Sequence, residues 1–385
     1  MSAYDVIVLG VGGMGSAAVY HLARRGRRVL GIEQFSLAHD QGSSHGVNRI
    51  IRLAYAEHPS YVPLLRRAYE LWRDLENRSG ERLLYITGGL DIGVAESQIF
   101  AGSLRSCKEH HVPHELLTAG ELMKRYPGFR LPTDLLAVYQ ADGGFVLSER
   151  AILAHVRGAQ ELGAEVHACE RVVSWSAEGR GVVVRTDHDT YRAGRLVIAA
   201  GAWIVDALPA FARLAVCERQ VLIWTQPLRP ELFALGAFPV FNLEVEEGRL
   251  YGLPVFGIPG FKFGRFHHRH EQTHPDRVNR SFDAEDERVL REGIARYFPD
   301  ANGPTMALKT CLFTSTPDEH FILDRHPEFE QVLIASPCSG HGYKFAGVVG
   351  EIMADFALEG GCTRFDLSLF RLDRFAGANR PEPPG

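Results

Sequence analysis

The stretch Tyr4-Asp5-Val6-Ile7-Val8-Leu9-Gly10-Val11-Gly12-Gly13-Met14-Gly15, followed by an alanine-rich segment and then Arg28-Val29-Leu30-Gly31-Ile32-Glu33, decides the fold. An apolar run of strand length ends in Gly10-x-Gly12-x-x-Gly15, Ser16 to Arg25 reads as a helix, and a second apolar run closes on an acid. Gly10 permits a tight turn, Gly12 lets the backbone approach a pyrophosphate, and Gly15 allows helix and strand to pack closely. The helix N-terminus offers unpaired N–H groups to phosphates. Glu33 stands where a carboxylate accepts hydrogen bonds from an adenosine ribose. Strand, glycine loop, helix, strand and acid in this order form a dinucleotide-binding βαβ unit.

Outward from this unit the composition is that of an ordinary globular chain. Of 385 residues, 45% are hydrophobic and 23% charged, enough to bury a large core in two or three domains. A net charge of −5 argues against a nucleic-acid surface, which needs a basic excess. The six cysteines are scattered without paired spacing and read as reduced thiols. The apolar N-terminus lacks a basic leader, so it is read as the first strand and not as a signal peptide. No stretch has the run of apolar residues of a membrane helix, and the expected location is the cytoplasm.

Apolar spacing predicts helices over Tyr61 to Leu75, near 97–110 and 119–126, from Ser148 to Leu162, over 285–297 and from Ala346 to Leu358. Strands are expected within 83–95, at 165–167, around Val172 and Val182, from Arg195 to Ala200 and from Val332 to Ala335. The turn at Gly201 is a second place for backbone to lie against a cofactor. From about 215 to 275 short alternating strands with Pro and Gly turns imply an antiparallel sheet.

Four local signatures carry a resemblance: Ser44-His45-Gly46-x-x-Arg49-x-x-Arg52, Lys262-x-Gly264, Cys311-x-x-Thr314-x-Thr316-Pro317-Asp318-Glu319-x-Phe321, and Ser339-Gly340-His341-Gly342-Tyr343-Lys344-Phe345. In this order, and from Gly10 to Phe375, the chain resembles the monomeric sarcosine oxidase group of flavin-dependent amine oxidases, with N-methyltryptophan oxidase and pipecolate oxidase as relatives. The implied fold is α/β. A discontinuous Rossmann-like FAD-binding domain (1–85, 148–215 and 318–375) interleaves with a substrate domain built on an antiparallel sheet (86–147 and 216–317), followed by a tail (376–385).

By itself Cys311 reads as a buried structural thiol. The resemblance makes it the covalent attachment point of FAD. The resemblance also gives FAD the loop Gly10, Gly12, Gly13, Met14 and Gly15, then Glu33 with its neighbour Gln34. Ser43, Ser44, Val172, Gly201, Gly340 and Gly342 complete the implied cofactor set with Arg49 and Lys344. Arg49 and His45 are implied beside the flavin, where the charge of Arg49 stabilises the reduced, anionic ring. Arg52 and Lys344 are implied to grip the substrate carboxylate, for which Arg is suited by its bidentate fork.

Lys262 between two phenylalanines reads alone as an edge-strand lysine; the resemblance makes it the cation that activates O₂. Tyr251 matches a pocket tyrosine. The tract His267, His268, His270, His274 lacks a helical frame and an acidic partner set, so it is read as a polar loop and not a metal site. Either His267 or His268 matches a substrate-contacting histidine, and His267 is taken. Asn242 stands where sarcosine-specific members carry methionine, and Val47 replaces an aspartate.

The implied reaction is oxidation of an N-methyl amino acid such as sarcosine by O₂, in a monomer. Bulkier or cyclic substrates, such as N-methyl-L-tryptophan, L-pipecolate or L-proline, stand beside it. So does a non-catalytic nucleotide-binding protein.

Overall fold

The computed structural model describes residues 4–336 and 338–375; the expected tail, 376–385, lies outside the described residues. The chain divides into two compact units, Met1–His39 with Ile152–Val216 and Thr314–Gly385, and Asp40–Ala151 with Cys217–Phe313. Residues 40–85, expected with the nucleotide-binding segments, fall in the second unit. The reason is strand pairing: Asn48–Ile51 and Leu84–Ile86 flank Gly144–Leu147 as a three-stranded antiparallel sheet. This pairing joins positions about a hundred residues apart, and local periodicity carries no trace of it. The later divisions fall between 151 and 152, 216 and 217, and 313 and 314.

In the first unit, the strand Tyr4–Leu9 lies between Val29–Ile32 and Thr190–Ile198, all parallel, and Glu165–His167 extends the sheet beyond Val29–Ile32. Val332–Ala335 adds in parallel to the end of Thr190–Ile198, whose beginning pairs instead with the meander Val172–Glu178 and Gly181–Thr186. Val6, Ile7, Val8, Leu196, Val197, Ile198, Leu333 and Ile334 are buried, the near-continuous apolar reading of strands covered on both faces. The helices Gly13–Arg24 and Ala346–Glu359 pack closely because small residues face each other. A Cβ on Gly350 would lie 2.5 Å from the Ala17 carbonyl carbon.

The second unit carries, among the described residues, a nine-stranded sheet. Its order is Glu271–Gln272, Val216–Thr225, Phe261–Arg265, Gly248–Leu253, Val240–Val245, Gly89–Gly93, Leu136–Gln140 and Glu115–Thr118, with Thr305–Ser315 also pairing to Val216–Thr225. The pairs named in the expected 215–275 region are antiparallel, but Val240–Val245 joins Gly89–Gly93 in parallel, so the sheet is mixed.

Alternation along these strands separates two faces. Val221, Ile223, Phe241, Leu250, Phe261 and Phe263 enter a core with Phe129, Phe238 and Phe298 and the helix Ala284–Tyr297. Their alternates, Leu222, Trp224, Tyr251 and Lys262, take the opposite face. No helix among the described residues is long and apolar enough to cross a membrane.

Candidate functional site

The glycine loop of the first unit has the geometry its spacing predicts. Gly10 has φ +86°, and a Cβ there would lie 2.6 Å from the Ala199 carbonyl oxygen; one on Gly15 would lie 1.7 Å from that of Gly10. A side chain at either position would collide with that backbone, so only glycine lets the turn close at the start of the helix Gly13–Arg24. Glu33 is buried, and its two oxygens accept the N–H groups of Val11 (2.9 Å) and Phe35 (3.1 Å). Its first documented task is thus to tie the glycine loop to the end of the second strand.

Of the other residues implied in this unit, Gln34 follows Glu33 and is half-buried, Val172 opens its strand, and Gly201 opens a 3₁₀ turn with φ +54°. Gly340 has φ +72°, and a Cβ on Gly342 would lie 2.3 Å from that of Cys338. Lys344 is buried in the next 3₁₀ turn, its Nζ donating to the His341 carbonyl at 2.6 Å.

The second unit gathers a separate cluster on one face of its sheet. Trp224 pairs with Lys262 across one strand junction, and Tyr251 with Gly264 across the next. Cys311, on Thr305–Ser315, packs with Leu222, Trp224 and Tyr251. Above this face lies the loop that starts the Asn48–Ile51 strand. Arg49 Nη2 donates to the Ser43 carbonyl at 2.9 Å and sits 3.4 Å from Cys311 Sγ. Lys262 Nζ donates to the carbonyls of Gly46 (2.8 Å) and Asn48 (2.7 Å) and to Asn48 Oδ1 (3.0 Å).

Burial pushes the Lys262 ammonium well below its usual range, and Arg49 pushes the same way; Glu149 and Cys311 oppose them. Burial would raise the Cys311 thiol, but Arg49, His45 and Lys262 outweigh it and bring the thiol down to about 6. These charges favour the thiolate, which is the nucleophilic form. Both ring nitrogens of His45 are buried and, among the described residues, meet no hydrogen-bond partner. Burial raises the Tyr251 phenol. Ser44 is half-buried in the same loop.

Arg52 lies in a different setting. Its Nε donates to Asp91 at 3.0 Å, its Nη2 to Glu57 at 3.2 Å, and it stacks over Tyr55. Asp91 also accepts from Ser103 and Asn242, each at 2.8 Å, and Glu57 accepts from Arg249 at 2.6 Å. Asn242, standing in the methionine position, therefore directs its amide to Asp91.

The two candidate histidines are engaged elsewhere. His267 Nδ1 lies 2.9 Å from Glu218, and His268 Nε2 lies 3.0 Å from Asp286, which also takes both terminal nitrogens of Arg219. The histidine tract therefore has acidic partners that its sequence did not show, Asp286 and Glu218, and the ligand atoms of Glu218, His267 and His270 lie within 4.8 Å of one another.

Sequence reasoning missed Glu149, Asp91, Glu57 and Asn48. An acid in the first turn of a helix is ordinarily a dipole-complementing residue, and nothing local marks Asp91 within its strand. Only the three-dimensional pairing brings them to the cations.

The chain matches the FAD dependent oxidoreductase family over residues 5–356. It is similar to a monomeric sarcosine oxidase of Streptomyces avermitilis, 41% identical with 97% of this chain and 98% of the relative covered. It is also similar to an N-methyl-L-tryptophan oxidase of Salmonella dublin, 35% identical with 97% and 99% covered. Among solved structures, NikD, an amino acid oxidase essential for nikkomycin biosynthesis, superposes with a TM-score of 0.83 at 26% identity over 96% of this chain and 98% of that one.

Proposed function

Because the chain belongs to the FAD-dependent oxidoreductase family, we propose that it oxidises secondary N-methyl amino acids, with sarcosine the first substrate. The overall reaction is sarcosine + O₂ + H₂O to glycine + formaldehyde + H₂O₂. Near-full-length similarity to sarcosine oxidases, the human peroxisomal enzyme among them at 34% identity, supports this reading. The single observation that carries it is the convergence of Cys311, Arg49 and Lys262 on one sheet face.

The residues present fit FAD. Gly10 and Gly15 leave no room for a Cβ, so the backbone turns tightly into the N-terminus of the helix Gly13–Arg24 and can lie against a pyrophosphate. His45, whose buried ring nitrogens meet no well-aligned hydrogen-bond partner among the described residues, lies beside the Cys311 thiol. When bound, FAD supplies the two-electron acceptor.

The chain's own residues do the rest. The Cys311 thiolate is the attachment point, stabilised by Arg49. Lys262 holds a positive charge where an anion develops on O₂. The resemblance assigns Arg52 and Lys344 to the substrate carboxylate; in the structure Arg52 is taken up by Asp91 and Glu57, and Lys344 Nζ by the His341 carbonyl.

A bulkier substrate is the second reading, favoured by the N-methyl-L-tryptophan oxidase relative and by the absence of methionine at Asn242. The chain is taken as a cytoplasmic monomer, which sedimentation and cell fractionation check. The test of function is the visible spectrum of the purified protein under anaerobic conditions before and after sarcosine. Bleaching of the flavin band is expected. A flavin spectrum that sarcosine leaves intact and N-methyl-L-tryptophan bleaches moves the reading to the bulkier substrate. A protein without flavin overturns it.

A further inference from the structure

Lys262 is held by a turn that is itself under strain. Its acceptors include the carbonyls of Gly46 and Asn48, and between them Val47 adopts φ +75°. The Asn48 N–H returns to the Gly46 carbonyl at 3.0 Å, so residues 46–48 form a γ-turn of the rare left-handed kind, centred on a β-branched residue. Such a turn persists only when its surroundings over-determine it.

The clamp is Glu149. Its carboxylate accepts the N–H of Gly46 at 2.7 Å and that of Val47 at 3.1 Å through each oxygen. Ser148 Oγ donates to it at 2.6 Å, and the Ser148 N–H meets the Val47 carbonyl at 3.0 Å. Both sides of the Val47 peptide unit are therefore gripped by the start of the helix Ser148–Glu161.

We propose that Glu149 is a positioning residue for Lys262. It fixes the Gly46–Asn48 turn whose carbonyls orient the ammonium, and it supplies the carboxylate charge that keeps that ammonium protonated beside Arg49. The groups facing Lys262 from the surrounding elements are Arg49 and Asn48 from the first strand of the small sheet, Trp224 with its ring centroid 5.4 Å from Nζ, Cys311 from its strand, and Glu149. Arg49 opposes the charge on Lys262, while Glu149 and the Cys311 thiolate support it. Against the cost of burial, the hydrogen bonds from Ser148 and Val47 hold the Glu149 carboxyl below the usual range, so it stays ionised. A thioether at Cys311 carries no charge, and Glu149 is then the remaining anion of this set. The proposal rests on assigning Lys262 to the oxygen half of the reaction.

The experiment compares wild type and Glu149→Gln, both photoreduced, so that no amine substrate is needed. The rate of oxidation by O₂ is followed from pH 6 to 10. It is high while the ammonium is charged and falls as pH rises through the Lys262 titration. In Glu149→Gln the midpoint of that fall moves to lower pH by about one unit, the scale of one removed neighbouring charge. Glu149→Asp, which keeps the charge, restores it.

Amide hydrogen exchange on the same proteins reads the clamp directly. Gly46 and Val47 exchange faster in Glu149→Gln than in wild type. The double variant Val47→Gly/Glu149→Gln, free of the left-handed strain, carries the pH measurement if the single variant does not fold. An unmoved midpoint, or unaltered exchange at Gly46 and Val47, overturns the proposal. A wild-type rate indifferent to Lys262→Met would instead overturn the assignment of Lys262, and a flavin that no amine reduces would overturn the substrate reading alone.

Discussion

Two buried cations of the second unit, Arg52 and Lys262, are 3% and 2% exposed, and the fold handles their charges in opposite ways. Arg52 faces Asp91 and Glu57, and Glu57 in turn faces Arg249, giving two positive and two negative charges in one network. Among the described residues the hydrogen-bond acceptors of Lys262 are neutral oxygens, and the neighbouring cation Arg49 works against its charge. A cation paired with carboxylates is held in place, and its field is largely spent. One held by carbonyls keeps its field for a charge that appears only during reaction, which is where fixed charge has its greatest effect. The formal charge of the acceptors thus separates the two cations: carboxylates hold Arg52, and carbonyl and amide oxygens hold Lys262.

The largest expected effect breaks the Arg52 side of this comparison. Asp91→Ala leaves Arg52 with Glu57 alone and should cost about 3–5 kcal/mol of stability, the range for removing one partner of a buried ion pair. Urea unfolding followed by circular dichroism measures it. A loss below about 1 kcal/mol would mean that Arg52 behaves as a surface cation does.

Next comes Lys262→Met. Loss of a preorganised charge at a developing anion should slow oxidation of the reduced enzyme by O₂ about 10²–10³-fold, read by stopped flow, while reduction by substrate slows far less. Equal slowing of both halves would erase the distinction between the two cations. Asn242→Met is smaller and sharpens the Arg52 side. It removes one hydrogen bond from the Asp91 carboxylate, loosening the acid that aims Arg52, and should raise substrate KM about tenfold. Lower KM for a bulkier substrate would show instead that Asn242 limits the pocket.

The dinucleotide loop was legible because its parts are contiguous. Strand, turn and helix lie within residues 4–24, and each glycine answers a local steric demand. The strand at 332–335 and the helix that begins at Ala346 follow from the same local reading. The sheet-face cluster was legible only through the resemblance, since it draws on positions near 49, 224, 262 and 311 that no periodicity connects. The acids that set the two cations apart escaped altogether. Asp91 and Asn242 become neighbours through the parallel pairing of Gly89–Gly93 with Val240–Val245, and Glu149 meets Gly46 across more than a hundred residues. Phe261-Lys262-Phe263 is instructive in the same way: the phenylalanines belong to the core on one face and the lysine to the opposite face, so the lysine is buried and not an edge guard.

The smallest effect concerns the anion that Lys262 and Arg49 share before a cofactor is attached. With its thiol brought down to about 6, Cys311 is ionised above that pH and protonated below it. If the thiolate is the attacking form, covalent incorporation of FAD into apoprotein should follow a single titration. The rate is flat at neutral pH and falls to about a quarter of its plateau at pH 5.5. Flavin retained by acid-precipitated protein measures the incorporation, and Cys311→Ser should retain none. Arg49→Gln removes the largest opposing influence on the thiol's burial, so the midpoint should rise, and incorporation at pH 7 should slow more than at pH 9. A midpoint unmoved by that change would separate Arg49 from Cys311. Attachment would have an electrostatic consequence: a thioether, formed as a flavin C–H bond breaks with loss of its proton and of two electrons that O₂ would finally accept, would leave a neutral sulfur beside two cations. A thioether at Cys311 would therefore leave the field of Lys262 without that anion beside it.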